Sequence, residues 1–333
     1  MKHLGLVIAI AATAVLIVSG GDPPPAGPPP QIAITSLAFR PLLFLDTRTA
    51  VGTAASDDDR FLRLLRHSPD GSVRELRRAA VEHRPVFNGL IVAGDDIVWS
   101  EADNTRMPQI WAASGRGAGK PRLLTEDAGD ATLYGSEYDL VHHDGRVYWT
   151  ARTPDGTVTE IRSVALTGGR VEVTRENGEW TLGPWPWLDD GASDGAAATL
   201  MRNRDTGQEI TVPTAGAEFA ACSPTWCRVM VLADDDLARI DVMRPDGSQR
   251  RRIAGGTART GVPDVAILDR FEILAEPGPE SATTGTAALL LHDLGTGDTV
   301  ELAPDANDAQ SRDGFVWWYG SDARWRVLDL RTV

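Results

Sequence analysis

The chain has 333 residues and a formal net charge of −14, with its acidic residues scattered rather than clustered. That balance excludes nucleic acid and an anionic bilayer surface as principal partners, since both call for a basic face. An apolar fraction of 42% supports a real core, and Gly 33 with Pro 21 marks a turn-rich chain without long amphipathic helices.

In chain order, the first feature is "MKHLGLVIAIAATAVLIVSGG", residues 1–21, with Lys2 ahead of an apolar run from Leu4 to Val18. That run falls short of the roughly 20 residues a helix needs to cross a bilayer comfortably, and it suits a secretory signal peptide cut near Gly20. An uncleaved membrane anchor is the alternative. No cysteine stands near Gly20, so bacterial lipid attachment is not expected. Either way the bulk of the chain is expected outside the cytoplasm, secreted or held to the membrane only by this segment.

"DPPPAGPPP", residues 22–30, has six prolines in nine residues and can form neither a helix nor a strand ladder. It reads as a stiff polyproline II linker. The folded domain is therefore expected over residues 31–333.

From there a hairpin recurs. "LRLLRHSPDGSVREL", "IRSVALTGGRVEVT" and "LLLHDLGTGDTVEL" each place an apolar strand, a glycine turn and a second strand. Glycine supplies the positive φ of tight turns. The turn glycines Gly71, Gly117, Gly169, Gly207, Gly247 and Gly297 are spaced by about 45 residues on average, the length of a four-stranded propeller blade. Preceding apolar strands such as "GDDIVWSE", "RFEILAE" and "DGFVWWYG" number seven against six complete hairpins. The pattern predicts an all-β fold, a β-propeller of seven four-stranded blades.

Closure follows from the last unit, which lacks an outer strand. "QIAITSLAF", residues 31–39, is a spare β-prone segment, and it is predicted to pair beside Arg324 to Leu330 and so hide the final edge. Six blades is the alternative, if the weak unit around "WTLGPWPWLDDGASDGAAATLMRN", whose "GASDGAAA" is poor in β-formers, is an insertion rather than a blade. Paired β-sandwiches would give strands at this spacing without explaining the constant order of strand, hairpin and strand.

With the blades laid out, "DGRVYWTARTPDGTVTEIRSVALTGGRVEVT" (144–174) and "CSPTWCRVMVLADDDLARIDVMRPDGS" (222–248) resemble the repeats of TolB-like β-propeller proteins. The resemblance covers the chain from about residue 40 and implies an extracytoplasmic propeller that binds proteins. It carries over no catalytic residue and no particular partner.

Cys222 and Cys227 are the only cysteines, and in an oxidising compartment they are expected to form a cross-strand disulfide around "SPTW". A zinc or redox pair is the rival, weakened by the lack of a second Cys or His pair. His142 and His143 adjoin Asp144, but neighbouring side chains on a strand point to opposite faces and cannot easily share one ion. The acidic runs Asp57 to Asp59 and Asp234 to Asp236 would suit calcium, yet neither has the spacing of a calcium loop, and solvated turns are expected. Trp99, Trp149 and Trp318 occupy equivalent positions and are expected to fill the layer between blades. Trp185, Trp187 and Trp226 fall in proline-containing loops and are the candidates for an exposed contact.

No nucleophile elbow, zincin motif, phosphate loop or dinucleotide fingerprint is present. The sequence therefore points to a monomeric, non-catalytic binding or scaffold protein without a cofactor, whose partner is a cell-envelope protein or glycan. The alternative is a propeller hydrolase or lactonase with a metal site in the central channel.

Overall fold

The computed structural model describes residues 39–117, 119–190, 200–233 and 236–333. The predicted signal or anchor segment, the predicted proline-rich linker and residues 31–38 of the predicted closing strand lie outside the described residues. Among the described residues, no helix is long and apolar enough to cross a membrane.

Among the described residues every strand pairing is antiparallel, and the strands gather into six sheets in chain order. The first sheet holds Arg40–Asp46, Thr49–Ala55, Phe61–His67 and Val73–Ala80. The second holds Val86–Ala93, Asp96–Asp103, Arg106–Ser114 and Arg122–Thr125. The third holds Val141–His143, Arg146–Arg152, Val158–Ala165 and Glu172–Asn177, with the short Asp130–Ala131 paired to its second strand. The fourth is made of short strands, Thr181–Leu182, Trp187–Asp189, Leu200–Asn203 and Glu209–Thr211. The fifth holds Glu218–Cys222, Cys227–Ala233, Asp236–Met243 and Arg251–Gly255. The sixth runs through Arg259–Thr260, Phe271–Glu276, Ala287–Asp293, Thr299–Arg312, Phe315–Gly320 and Trp325–Asp329.

The six aligned glycines all sit where expected, between the third and fourth strands of the six sheets. Five have positive φ, from 70° at Gly207 to 115° at Gly169, and Gly117 alone turns without it. A side chain at those five positions would be strained, which is why the repeat is visible as glycine spacing.

Seven separate blades are not what forms. The fold is an all-β propeller of six sheets, and the seventh predicted unit belongs to the sixth sheet. The cause is Thr299–Arg312, a strand of 14 residues. Its first half pairs with Ala287–Asp293, from His292 opposite Thr299 to Ala287 opposite Ala306. Its second half pairs with Phe315–Gly320, from Ala306 opposite Gly320 to Arg312 opposite Phe315. Register irregularities on both sides let one continuous strand serve two neighbours. The count of six does not come from losing the β-poor unit, because that unit forms the fourth sheet.

The core is divided into clusters, one formed within the sixth sheet and its flanking loops and the others between successive sheets. Leu43, Val51 and Leu64 of the first sheet pack with Ile97 and Trp99 of the second. Val98 and Ile110 meet Val147 and Trp149 of the third, and Ile161 meets Leu182 and Leu188 of the fourth. Met201 joins Val229 and Met243 of the fifth, and Val242 with Trp226 joins Leu294 of the sixth. Finally Phe315, Trp317, Trp325 and Val327 of the sixth pack on Phe44, Ala50 and Leu65 of the first. Each sheet is therefore apolar on both faces and covered by both neighbours, which defines a ring. Trp99 and Trp149 are completely buried within these layers, and Trp318 is completely buried in a cluster formed within the sixth sheet with Ile273, Leu291 and Val316.

Among the described residues, no strand pairing joins the two ends of the ring. Phe39 is the one described residue of the predicted closing segment. It is buried, and its carbonyl accepts a hydrogen bond from Trp325 Nε1 at 2.9 Å.

Candidate binding site at the ring axis

The inner ends of the sheets converge on a cavity of about 430 Å³ to which all six contribute, represented by Leu43, Ile91, His142, Pro184, Ser223 and Val265. A second cavity of about 270 Å³ adjoins it, lined among others by Tyr134, Asp139, Phe219, Cys222 and Met230. Tyr138, Ser223 and Val265 line both and form the wall between them.

Three segments distant in sequence build the polar part of this wall. The loop before the third sheet's Val141–His143 supplies Ser136, Glu137 and Asp139. The loop after Arg259–Thr260 supplies Asp264. The end of Thr299–Arg312 supplies Ser311 and Arg312. Asp264 fastens them together: its Oδ1 accepts from Ser136 Oγ at 2.9 Å and Glu137 N at 3.0 Å, and its Oδ2 accepts from Ser311 Oγ at 2.8 Å. Arg312 Nη2 donates to Ser136 O at 3.0 Å, and Asp313 N donates to Glu137 Oε2 at 2.9 Å. Asp139 closes its own loop by accepting from Tyr134 N and Gly135 N, both at 2.8 Å.

A fully buried ion pair stands behind this wall. Arg228 Nη1 donates to Glu272 Oε2 at 3.0 Å and also reaches the carbonyls of Val262 and Asp264, while Nη2 donates to Pro263 O at 2.6 Å. Glu272 Oε1 accepts from Ala266 N at 2.8 Å. One arginine thus holds the loop on which Asp264 sits.

Burial has electrostatic consequences at the axis. Desolvation pushes the Asp139 carboxyl up to about 6, against the opposing pull of its two backbone donors. Glu137 is also raised, first by desolvation and then by repulsion from Asp264. The Tyr138 hydroxyl is raised by desolvation and by the adjacent Glu137, so it stays protonated throughout the physiological range.

The axial carboxylates are spent on these hydrogen bonds. Among the described residues, no group of three His, Cys, Asp or Glu side chains is placed to hold a metal ion. His142 lines the larger cavity, whereas His143 stacks on Trp185 with ring centroids 5.0 Å apart, so the adjacent imidazoles do diverge. Asp57, Asp58 and Asp59 lie in an exposed turn, where Asp58 accepts from Ser56 Oγ and Arg60 N. Asp234 and Asp235 lie outside the described residues.

Cys222 and Cys227 face each other across the first two strands of the fifth sheet, with Cα atoms 4.0 Å apart and the sulfurs bonded. The tryptophans named as exposed contacts are placed differently. Trp226 is 5% exposed, because the turn closed by the cysteines folds it onto Ala266 and Leu294 of the sixth sheet, under Arg244. Trp185 is half-buried against His143 and Tyr148, and Trp187 is half-buried against the core between the fourth and fifth sheets.

Arg312, Glu137, Asp139 and Asp264 were not singled out by the sequence. Their only local sign is a position beside a turn, in "GSEYD", "GVPDV" or "RDG", shared with many other charged residues of the chain.

A ring of antiparallel sheets around a ligand-sized axial mouth is the architecture of a β-propeller domain. No family model matches the chain. No curated protein matches it. Among solved structures it is similar to the β-propeller domain of the trilobed protease from Pyrococcus furiosus, described as having an open velcro topology. The identity is 11% and the TM-score 0.48, over 74% of this chain and 83% of that one. It is similar also to the acylaminoacyl peptidase of Pyrococcus horikoshii, at 15% identity and a TM-score of 0.48, over 84% of this chain and 50% of that one. This chain therefore spans half the length of that peptidase, and neither likeness transfers an activity.

Proposed function

We propose that the chain is an extracytoplasmic, TolB-like β-propeller that binds a component of the cell envelope at the axial mouth without catalysing a reaction. The observation that carries this reading is the cavity of about 430 Å³ to which every sheet contributes. A site assembled from all sheets is rigid, since moving one wall would disturb the cores on either side of it. Its lip carries exposed aliphatic surface, with Val92 40% and Leu268 47% exposed beside the exposed Asp269 and Asp313, and aliphatic surface beside a cavity favours association.

The location rests on the apolar run Leu4 to Val18 and on the proline-rich spacer, and the monomer on a ring that covers its own sheet faces. Capture from envelope extract on the immobilised full chain tests the function. Wild type should retain a discrete component that Leu268→Asp does not. A wild-type column retaining nothing, or a variant retaining the same component equally, would count against the reading.

A further inference from the structure

Resting on that reading of the axial mouth, we infer that the site takes a carboxylate carried on an apolar body, with Arg312 as the group that recognises it. Arg312 is 7% exposed and lines the larger cavity. Its Nη2 donates to Ser136 O, while Nε and Nη1 are buried without an acceptor. Idle donors on a buried guanidinium are costly, and an anionic oxygen entering the cavity would satisfy them with charge-assisted hydrogen bonds.

A second group agrees. His142, from the third sheet, lines the same cavity, and its Nε2, a donor in the Nε2–H tautomer, is likewise buried without a partner. Of the carboxylates that line this cavity, Glu137 accepts from Asp313 N and Asp269 from the Thr225 hydroxyl, while Asp313 lies exposed at the rim, where water solvates it. The buried unused capacity in this wall thus lies with the Arg312 guanidinium, which favours an anion over a cation. Glu137, held toward its neutral form by desolvation and by Asp264, leaves the positive charge of Arg312 less opposed.

The remainder of the ligand is indicated by the apolar lining. Leu43, Ile91, Val265 and Ile267 surround the cavity, and Val92 with Leu268 continues that surface outward. Leu268 and Asp269, with φ of 56° and 57°, form the centre of a tight turn in which Arg270 N donates to Ile267 O, and Ala266 N donates to Glu272 Oε1 beneath it. A carboxylate fits better than a phosphate dianion, because one charge is cheaper to desolvate beside aliphatic walls.

Two sources share this chemistry, a peptide C-terminus with apolar last residues and a small aliphatic acid. Calorimetry on the purified full chain separates them, using N-acetyl-Leu-Leu as free acid, the same peptide as its amide, and octanoate. The free acid should bind at least about tenfold more tightly than the amide. Octanoate matching the peptide acid would identify an aliphatic acid as sufficient, and octanoate failing would identify the peptide end.

Arg312→Gln should remove the preference for acid over amide, and Leu268→Asp should weaken acid and amide together. Equal binding of acid and amide to the unmodified chain, or no binding of either acid, overturns the inference whether or not the Arg312 variant folds. Persistent acid preference in a folded Arg312→Gln protein overturns it too. Envelope capture that survives loss of the acid preference leaves the proposed function standing, and acid preference without capture does the converse.

Discussion

At the residue scale, the buried pair Arg228–Glu272 has side chains 4% and 0% exposed, so neither charge has water to fall back on. Removing one partner leaves the other uncompensated. Glu272→Ala should therefore cost about 3–5 kcal/mol in urea unfolding. A loss below about 1 kcal/mol would mean that Arg228 is sustained by its carbonyl contacts alone.

Asp139 gives a pH-dependent prediction whose sign follows from linkage. Its folded carboxyl sits at about 6, above the ordinary value of 3.8. Between those values the folded state binds more protons than the unfolded one, so this group makes stability fall as pH rises through that window. Asp139→Asn should flatten the fall measured by denaturation between pH 4.5 and 7, at some cost in overall stability. The cost arises because an amide offers one acceptor oxygen to the two backbone donors of Tyr134 and Gly135. Parallel pH profiles for the two proteins would show that Asp139 is not the source. None of these residues was legible beforehand, because a charged side chain beside a turn reads as solvated until the fold shows what covers it.

At the element scale, the hairpins were the most legible part of the chain. Five of the six turn glycines occupy backbone that disfavours other residues, so local chemistry wrote the repeat directly into the sequence. The cross-strand pairing of Cys222 with Cys227 was equally local, since a four-residue turn leaves few alternatives. Because the closed loop is short, replacing both cysteines with alanine should cost only about 2 kcal/mol in guanidinium unfolding. A much larger loss would implicate the packing of Trp226 on Ala266 and Leu294 rather than the bond. The exposed-loop reading of Trp226 failed at this same turn: proline and serine around it signalled a loop, but not that the loop folds inward.

At the scale of the whole molecule, the six sheets are held as a ring by apolar layers, and the layer between the sixth and first sheets completes it. Trp317 is 1% exposed there, with its ring centroid 5.3 Å from that of Phe44. If that seam is as firm as the others, Trp317→Ala should destabilise by about 3–5 kcal/mol, comparable with Trp99→Ala between the first and second sheets. A marginal effect at Trp317 beside a large one at Trp99 would indicate a ring that opens at the seam.

The sequence by itself determined the all-β class, the repeat length and the strand order within a blade. All of these are set by side-chain alternation and turn conformation over a few residues. Only the tertiary structure decided that the last unit joins the sixth sheet, because that depends on one 14-residue strand continuing from one neighbour to the next. It alone assembled the axial site as well. Ser136 and Arg312 are 176 positions apart, and no local pattern can encode a contact that exists only when the ring brings opposite walls together.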